Sequence, residues 1–368
     1  MDSGYTGYSA FNSSSGLPKM IWFLKNFPAK IEQLGRFIHA ADFIIGKLSG
    51  NFSVTDPTNA LKSGFDVRTM EWPAYLVEKL PLKKEWLQQH KPSGTPAGII
   101  QHELASKLGL SPKTIITTGM TDGCASQVAS GAVNPGDWNT TIGTTLVVKG
   151  VTRQAINDPS GALYCHRHPE GYWMPGGASN TGADWVSKLY EAKDLVELSK
   201  AASNMIPTGH LAWPLLQDGE RFPFVAPTAK GFKPPGLEGE ELFAAYLEGV
   251  AYIERYAYEQ INILSGETVR QIFTAGGASN SNTWLLIRSS VLGLPIRKME
   301  NVSGAIGAAI LAASGTYYKS LTEAANAMTK EETLVKPSVP LAKAYEKSYH
   351  EFVNLLKEKG YIKRYEFA

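Results

Sequence analysis

Cysteine is nearly absent: the 368-residue chain has two, Cys124 and Cys165. Two thiols build neither a disulfide framework nor a CxxC metal pair, so a reducing, cytoplasmic setting is expected. Charge is sparse too, at 19% of residues, where an average globular chain has about 25%. The 36 Lys and Arg against 34 Asp and Glu leave a net charge of +2, which suggests no nucleic-acid partner. No segment approaches the ~20 apolar residues of a membrane span, so no membrane partner is expected. Met1 to Leu17, polar and rich in Ser, Gly and Tyr, lacks the basic and apolar regions of a signal peptide. Neither GxxxxGK with a following Ser or Thr, nor GxGxxG after the first strand, is found, which removes the P-loop and Rossmann readings. The seven histidines are scattered apart from His166 and His168. On a strand that spacing puts both rings on one face, but two histidines without a third ligand do not make a metal site, and no metal ligand is assigned.

What is there is an ordinary globular chain of 40.0 kDa with 43% apolar residues and 35 glycines, long enough for two domains. Residues 20 to 50 read as helices, from Met20-Ile21-Trp22-Phe23-Leu24 through Ile31, Leu34, Phe37 and Ile38 to Ile44, Ile45 and Leu48, stopped by Gly50. Thr55 to Asn59 reads as a turn and Lys91 to Gly98 as a loop. A strand at Thr114 to Thr118 runs through Gly119-Met120-Thr121-Asp122-Gly123 into a small-residue helix, Cys124 to Ser130. The period then changes to two through Thr140 to Val148, a β-hairpin turning at Gly143. Strands alternate with long helices from there on, the pattern of an α/β layer. Leu242, Tyr246, Val250, Ile253, Ala257, Ile261 and Leu264 mark one face of a long helix closed by Gly266, with Glu248, Glu254 and Glu259 on its remaining face and the strand Arg270 to Thr274 after it. Another strand-turn-helix follows at Ala275 to Asn280, and a Gly-rich helix at Ser303 to Ala309. Gly-Gly-Ala-Ser-Asn occurs at 176–180 and again at 276–280, read as repeated local geometry.

Three glycine turns therefore sit where a strand gives way to a helix or a hairpin, at Gly119, Gly143 and Gly276. Such turns leave backbone N–H groups approachable, an arrangement that suits phosphate, although any sharp turn needs glycine for positive φ. Three of them in one chain shift the reading toward a nucleotide. Asp122 is the carboxylate to single out, because it follows a strand and a glycine and opens a helix, whose dipole keeps it ionised. A helix cap would look the same. With Thr141, Thr144 and Thr145 offering hydroxyls and backbone donors, an ionised carboxylate and a phosphate-binding hairpin make the layout for orienting an attacking hydroxyl in phosphoryl transfer.

At these residues the chain resembles the FGGY carbohydrate kinases. Ser49-Gly50 with Thr55-Asp56-Pro57-Thr58-Asn59-Ala60 is similar to the family's Thr-Gly and Thr-Asp-x-x-Asn-Ala segment, and Gly119 to Gly123 to its Gly-x-x-Asp-Gly. Thr141 to Thr145 resembles the second phosphate hairpin, Gly219-Glu220-Arg221-Phe222-Pro223 the Gly-Glu-Arg-x-Pro turn, and Leu247 to Ala251 the helix that follows it. Ala275 to Ser279, with Trp284 and Leu292-Gly293 beyond, resembles the adenosine motif, and Gly304 to Ala309 the last connecting helix. The resemblance implies an α/β, two-domain actin/Hsp70/hexokinase-like (ribonuclease H-like) ATPase fold. Its domains would be 1–136, carrying Asp122 on the sugar side, and 137–368, which binds the nucleotide. It implies transfer of the γ-phosphoryl group of ATP, with Mg²⁺, to a sugar hydroxyl. Asp122 would be the catalytic base, Gly143, Thr144 and Thr145 would hold phosphate, and Gly276, Gly277 and Ser281 would line the adenosine pocket. Tyr164 to Arg167 and Trp173 to Gly182 look closest to ribulokinases and xylulokinase-like members, which favours a ketopentose, D-ribulose or D-xylulose.

One departure stands against this. Family members begin with a β-hairpin carrying Asp-x-Gly-Thr, whose aspartate works with the nucleotide's Mg²⁺, whereas Ser13 to Lys19 here already resembles the segment that comes after it. The expected first domain is accordingly N-terminally truncated, with apolar strand edges that another chain or segment would have to cover. A homodimer or a complementing N-terminal fragment would be the partner. The alternative function is a catalytically inactive nucleotide-binding remnant or one fragment of a split sugar kinase. An ATP-driven chaperone of the same fold is disfavoured by Gly219 to Pro223.

Overall fold

A computed structural model describes Tyr8, residues 11–191 and residues 194–362. Most of the first residues of the polar amino terminus, and residues 363–368 of the expected second domain, lie outside the described residues. The chain divides into two compact units, one of residues 1–129, 166–174 and 303–328, the other of residues 130–165, 175–302 and 329–368. Among the described residues no helix is long and apolar enough to cross a membrane.

The first unit opens with α1 (Gly16–Asn26) and α2 (Ala40–Ser49), the latter ended by Gly50 in the left-handed conformation. Between them the expected helical run through Ile31 to Ile38 breaks down. Pro28 starts a 3-10 turn, Leu34 is extended, and Phe37 packs edge-on against Trp86. These apolar positions were chosen by the cluster of Leu17, Met20, Leu24, Leu76 and Trp86 that they cover, not by a helical face. Next come β1 (Val54–Thr55), α3 (Pro57–Ala60), α4 (Tyr75–Glu78), β2 (Gln89–His90), β3 (Pro96–Ile99), α5 (His102–Leu108), β4 (Ile115–Thr117) and α6 (Asp122–Ala129). The stretch read as a turn at Thr55 to Asn59 is the end of β1 and a short helix capped by Asp56, and the second half of the Lys91 to Gly98 loop is strand, paired antiparallel to β4.

The second unit is built on a seven-stranded sheet. Its elements are β5 (Asp137–Ile142), β6 (Leu146–Gly150), β7 (Tyr164–Arg167) and β8 (Trp173–Ser179), of which residues 166–167 and 173–174 count with the first unit, then α7 (Asp184–Leu189), α8 (Leu195–Met205), α9 (Gly239–Ser265), β9 (Gln271–Ala275), α10 (Asn282–Leu292) and β10 (Ile296–Met299). After α11 (Gly304–Ser314) and α12 (Leu321–Met328), which return to the first unit, β11 (Glu331–Val335) and α13 (Val339–Glu358) complete the chain. The strand order is β11-β10-β9-β5-β6-β8-β7, with β5, β9 and β10 parallel and antiparallel neighbours outside them. The hairpin turns where the alternation predicted, with Ile142 opposite Leu146 across Gly143.

Three expectations need correction here. Helix α9 has no polar face of the kind the pattern implied, since 17 of its 27 residues are buried, Glu248 and Glu254 among them. It packs against α8, α10 and α13, and the buried carboxylates are satisfied from those neighbours and nearby loops. Glu254 takes a two-pronged ion pair from Arg288 at 2.7 and 2.8 Å, and Glu248 accepts from Thr208 and the Tyr345 hydroxyl. The repeated Gly-Gly-Ala-Ser-Asn has two geometries. At 176–179 it is strand β8, with Gly177 opposite Val148, whereas Gly277–Asn280 is a 3-10 turn. Finally, β7 ends at Arg167, so only His166 is on the strand and His168 lies in the turn after it; both are buried.

Candidate active site

Two parallel strands bring the second unit's glycine turns together. Thr141 of β5 pairs with Ala275 of β9, so both strands end at one edge of the sheet, the carboxyl edge where open α/β sheets bind ligands. One continues into the Gly143 turn, the other into Gly276. Gly276 has φ +88°, and a Cβ there would sit 2.4 Å from the Ile142 carbonyl oxygen, so only glycine lets the two turns lie side by side. Within the hairpin turn the Gly143 N–H donates to the Thr145 carbonyl at 3.0 Å, and Thr144 stands exposed at the tip.

Beyond Gly276 the chain makes one 3-10 turn and enters α10, with Ser281 as its cap, the hydroxyl accepting the Trp284 N–H at 3.2 Å. The Thr283 hydroxyl donates to the Ser199 carbonyl, tying α10 to α8. Between these elements lies a cleft of about 1170 Å³. Gly143, Gly277 and Ser281 line it, with Phe243, Leu247 and Trp284 among its apolar wall. Gly276, Thr144 and Thr145 adjoin this cleft in sequence without lining it. Tyr190 also faces the cleft; burial pushes its phenol up to about 12, and it donates to the Gly239 carbonyl as a neutral group. A cleft of this size, whose apolar wall is interleaved with polar side chains such as Lys200, Asn280 and Asn282, has room for a drug-sized or nucleotide-sized ligand.

Asp122 belongs to the first unit. It occupies the first turn of α6 with its carboxylate exposed, accepting the Gly123 N–H at 2.7 Å. What holds the turn in front of it was not legible as a site. The Thr121 N–H donates to the Thr58 hydroxyl at 2.8 Å, and that hydroxyl donates to Asp56 at 2.6 Å. Asp56 is fully buried and also accepts from Asn59; burial pushes its pKa up, against the pull of those donors. The Asp-Pro-Thr-Asn pattern of a capped turn was the available signal for this support. On its other side α6 packs against α11, with Gly307 over the Ala125 carbonyl. Among the described residues no group of three or more His, Cys, Asp or Glu could hold a metal ion.

The fold is that of a two-domain sugar kinase. The pattern of the FGGY family of carbohydrate kinases matches residues 5–129 with its N-terminal domain and residues 138–316 with its C-terminal domain. The chain belongs to that family, whose members are phosphotransferases with an alcohol group as acceptor. It is 23% identical to the xylulose kinase of Bacillus subtilis (strain 168), over 92% of this chain and 70% of that protein. It is also 23% identical to the gluconokinase of Bacillus licheniformis, over 92% of this chain and 70% of that one. Among solved structures, the xylulose kinase from Rhodospirillum rubrum superposes with a TM-score of 0.83 at 24% identity, covering 94% of this chain and 72% of that one, which establishes the shared fold.

Proposed function

We propose that the protein phosphorylates a ketopentose, D-xylulose or D-ribulose, with Mg-ATP as donor. The observation that carries the nucleotide part is the large cleft at the carboxyl edge of β5 and β9, with a glycine hairpin at one side and the capped start of α10 at the other. The adenosine would occupy the apolar part beside Gly277 and Ser281, with Gly276 bringing the chain there. The phosphates would extend toward Gly143, where Thr144 and Thr145 present hydroxyl and N–H groups.

Asp122 would accept the proton of the attacking sugar hydroxyl. The hydroxyl oxygen forms the new bond to the γ-phosphorus as the bond to the ADP oxygen breaks, and the proton ends on the carboxylate. An exposed carboxylate in the first turn of a helix is open to a substrate hydroxyl, and the hydrogen bonds through Thr58 and Asp56 fix the turn before it. A ketopentose is favoured by the residues around Tyr164 to Arg167 and Trp173 to Gly182, and by the xylulose kinases among the relatives. Gluconokinase among those relatives makes the acceptor a matter for experiment.

The test is ADP release by the purified chain with Mg-ATP against D-xylulose, D-ribulose, L-ribulose, glycerol and gluconate, with Asp122→Ala as control. Turnover with a ketopentose that the substitution reduces by about a hundredfold or more, the usual range for losing a general base, supports the proposal. Turnover with gluconate alone reassigns the acceptor. A folded chain that binds ADP yet turns over none of the five sinks the catalytic reading in favour of a nucleotide-binding protein.

A further inference from the structure

Glu220 is 2% exposed, and its carboxylate collects four short hydrogen bonds. Ser179 and Thr181 donate their hydroxyls to one oxygen at 2.8 Å, while the N–H groups of Asn180 and Arg221 donate to the other at 2.7 and 2.9 Å. The segment is pinned from its far side as well, since the Trp213 indole N–H donates to the Thr181 hydroxyl and the Asn180 amide to the Gly219 carbonyl. The Phe222 N–H adds a longer bond at 3.5 Å, so three of the five donors to Glu220 belong to consecutive residues, 179 to 181, and hydrogen bonds to a carboxylate in a dry site are among the stronger ones.

Those three residues lead directly to the hairpin turn. Gly182 passes so close that a Cβ on it would lie 2.3 Å from the Thr144 carbonyl oxygen, and the Ala183 N–H donates to the Gly143 carbonyl at 2.7 Å. The turn thus rests on a segment whose position is set by one buried carboxylate, itself outside the cleft lining. We propose that Glu220 is a positioning residue for the Gly143–Thr145 turn, holding it where it can meet the phosphates of a bound nucleotide. The inference rests on the nucleotide reading above and assigns a task to the glutamate of the Gly-Glu-Arg-Phe-Pro turn.

Adenosine and Mg-ATP, titrated separately by calorimetry into the full chain, distinguish positioning from general support. Glu220→Gln keeps the shape but removes the charge that gathers the donors. Gly182→Ala pushes on the Thr144 carbonyl directly and leaves the carboxylate alone. Both variants should lose about tenfold or more in Mg-ATP affinity, with adenosine affinity held within about twofold, because only the phosphates feel a displaced turn. Equal loss of both ligands, or a folded Glu220→Gln and Gly182→Ala that bind Mg-ATP as the wild type does, would overturn the proposal alone. A wild-type chain that binds neither ligand overturns it together with the nucleotide reading. If Glu220→Gln does not fold, a selective loss in Gly182→Ala still supports the positioning of the turn through this segment, and an unselective one still refutes it.

Discussion

Two glycines three residues apart in α11, Gly304 and Gly307, offer a sharp test of how the first unit holds Asp122. A Cβ on Gly304 would meet nothing closer than 3.8 Å, the Asp122 carbonyl oxygen. A Cβ on Gly307 would lie 1.7 Å from the Ala125 carbonyl oxygen, so Gly307→Ala must drive α11 and α6 apart by more than an ångström. Alanine gains about 1 kcal/mol over glycine inside a helix, while forcing an extra methyl into a packed contact costs about 1–3 kcal/mol or more. A net loss of up to about 2 kcal/mol is expected, which a two-domain chain of this size survives folded. The effect on rate should be larger. Ala125 sits one turn from Asp122 and its N–H donates to the Thr121 carbonyl, so a shift there moves the carboxylate, and a misplacement of about 1 Å costs on the order of a hundredfold in rate. Sugar-dependent ADP release should therefore fall by about that factor, with a modest drop in the urea midpoint, while Gly304→Ala stays within about twofold of wild type. A Gly307→Ala enzyme with wild-type turnover and midpoint would refute the reasoning, because it would mean the helices yield without disturbing the turn.

The remaining expectations concern the second unit. Glu254→Gln leaves the fully buried Arg288 guanidinium without its charge partner and should destabilise by about 3–5 kcal/mol in urea unfolding, whereas replacing both residues with Leu and Met should recover most of that loss. Burial pushes the Glu248 carboxyl up, so the folded state holds that proton more tightly than the unfolded chain does. Its contribution is fully present below the unfolded value and lost as pH rises through the folded one, so the urea midpoint should fall across that window in wild type and lose this component of the slope in Glu248→Gln. Ser281→Ala removes the cap of α10 and should cost about 1 kcal/mol, with a weaker affinity for adenosine measured by calorimetry.

Local pattern determined much of this protein. The β5 to β6 hairpin with its turn at Gly143, the long helix α9 ended by Gly266, and Asp122 at the head of α6 all follow from periods of two or three-and-four and from the glycines beside them. Such signals act over a few residues, so they are legible without knowing what lies beside them. Tertiary structure decided the rest. The same five residues, Gly-Gly-Ala-Ser-Asn, form a strand where Val148 and Lys149 offer a partner and a 3-10 turn where the chain must clear the Ile142 carbonyl. Glu248 and Glu254 can be placed on one side of α9 from the pattern, but that Tyr345 and Arg288, remote in sequence, close over them cannot. Gly304 and Gly307 are indistinguishable as letters, and only the nearness of the Ala125 carbonyl makes one of them costly to replace. The task of Glu220 is of the same kind, because a carboxylate finds its donors by burial and approach, which a linear pattern does not carry.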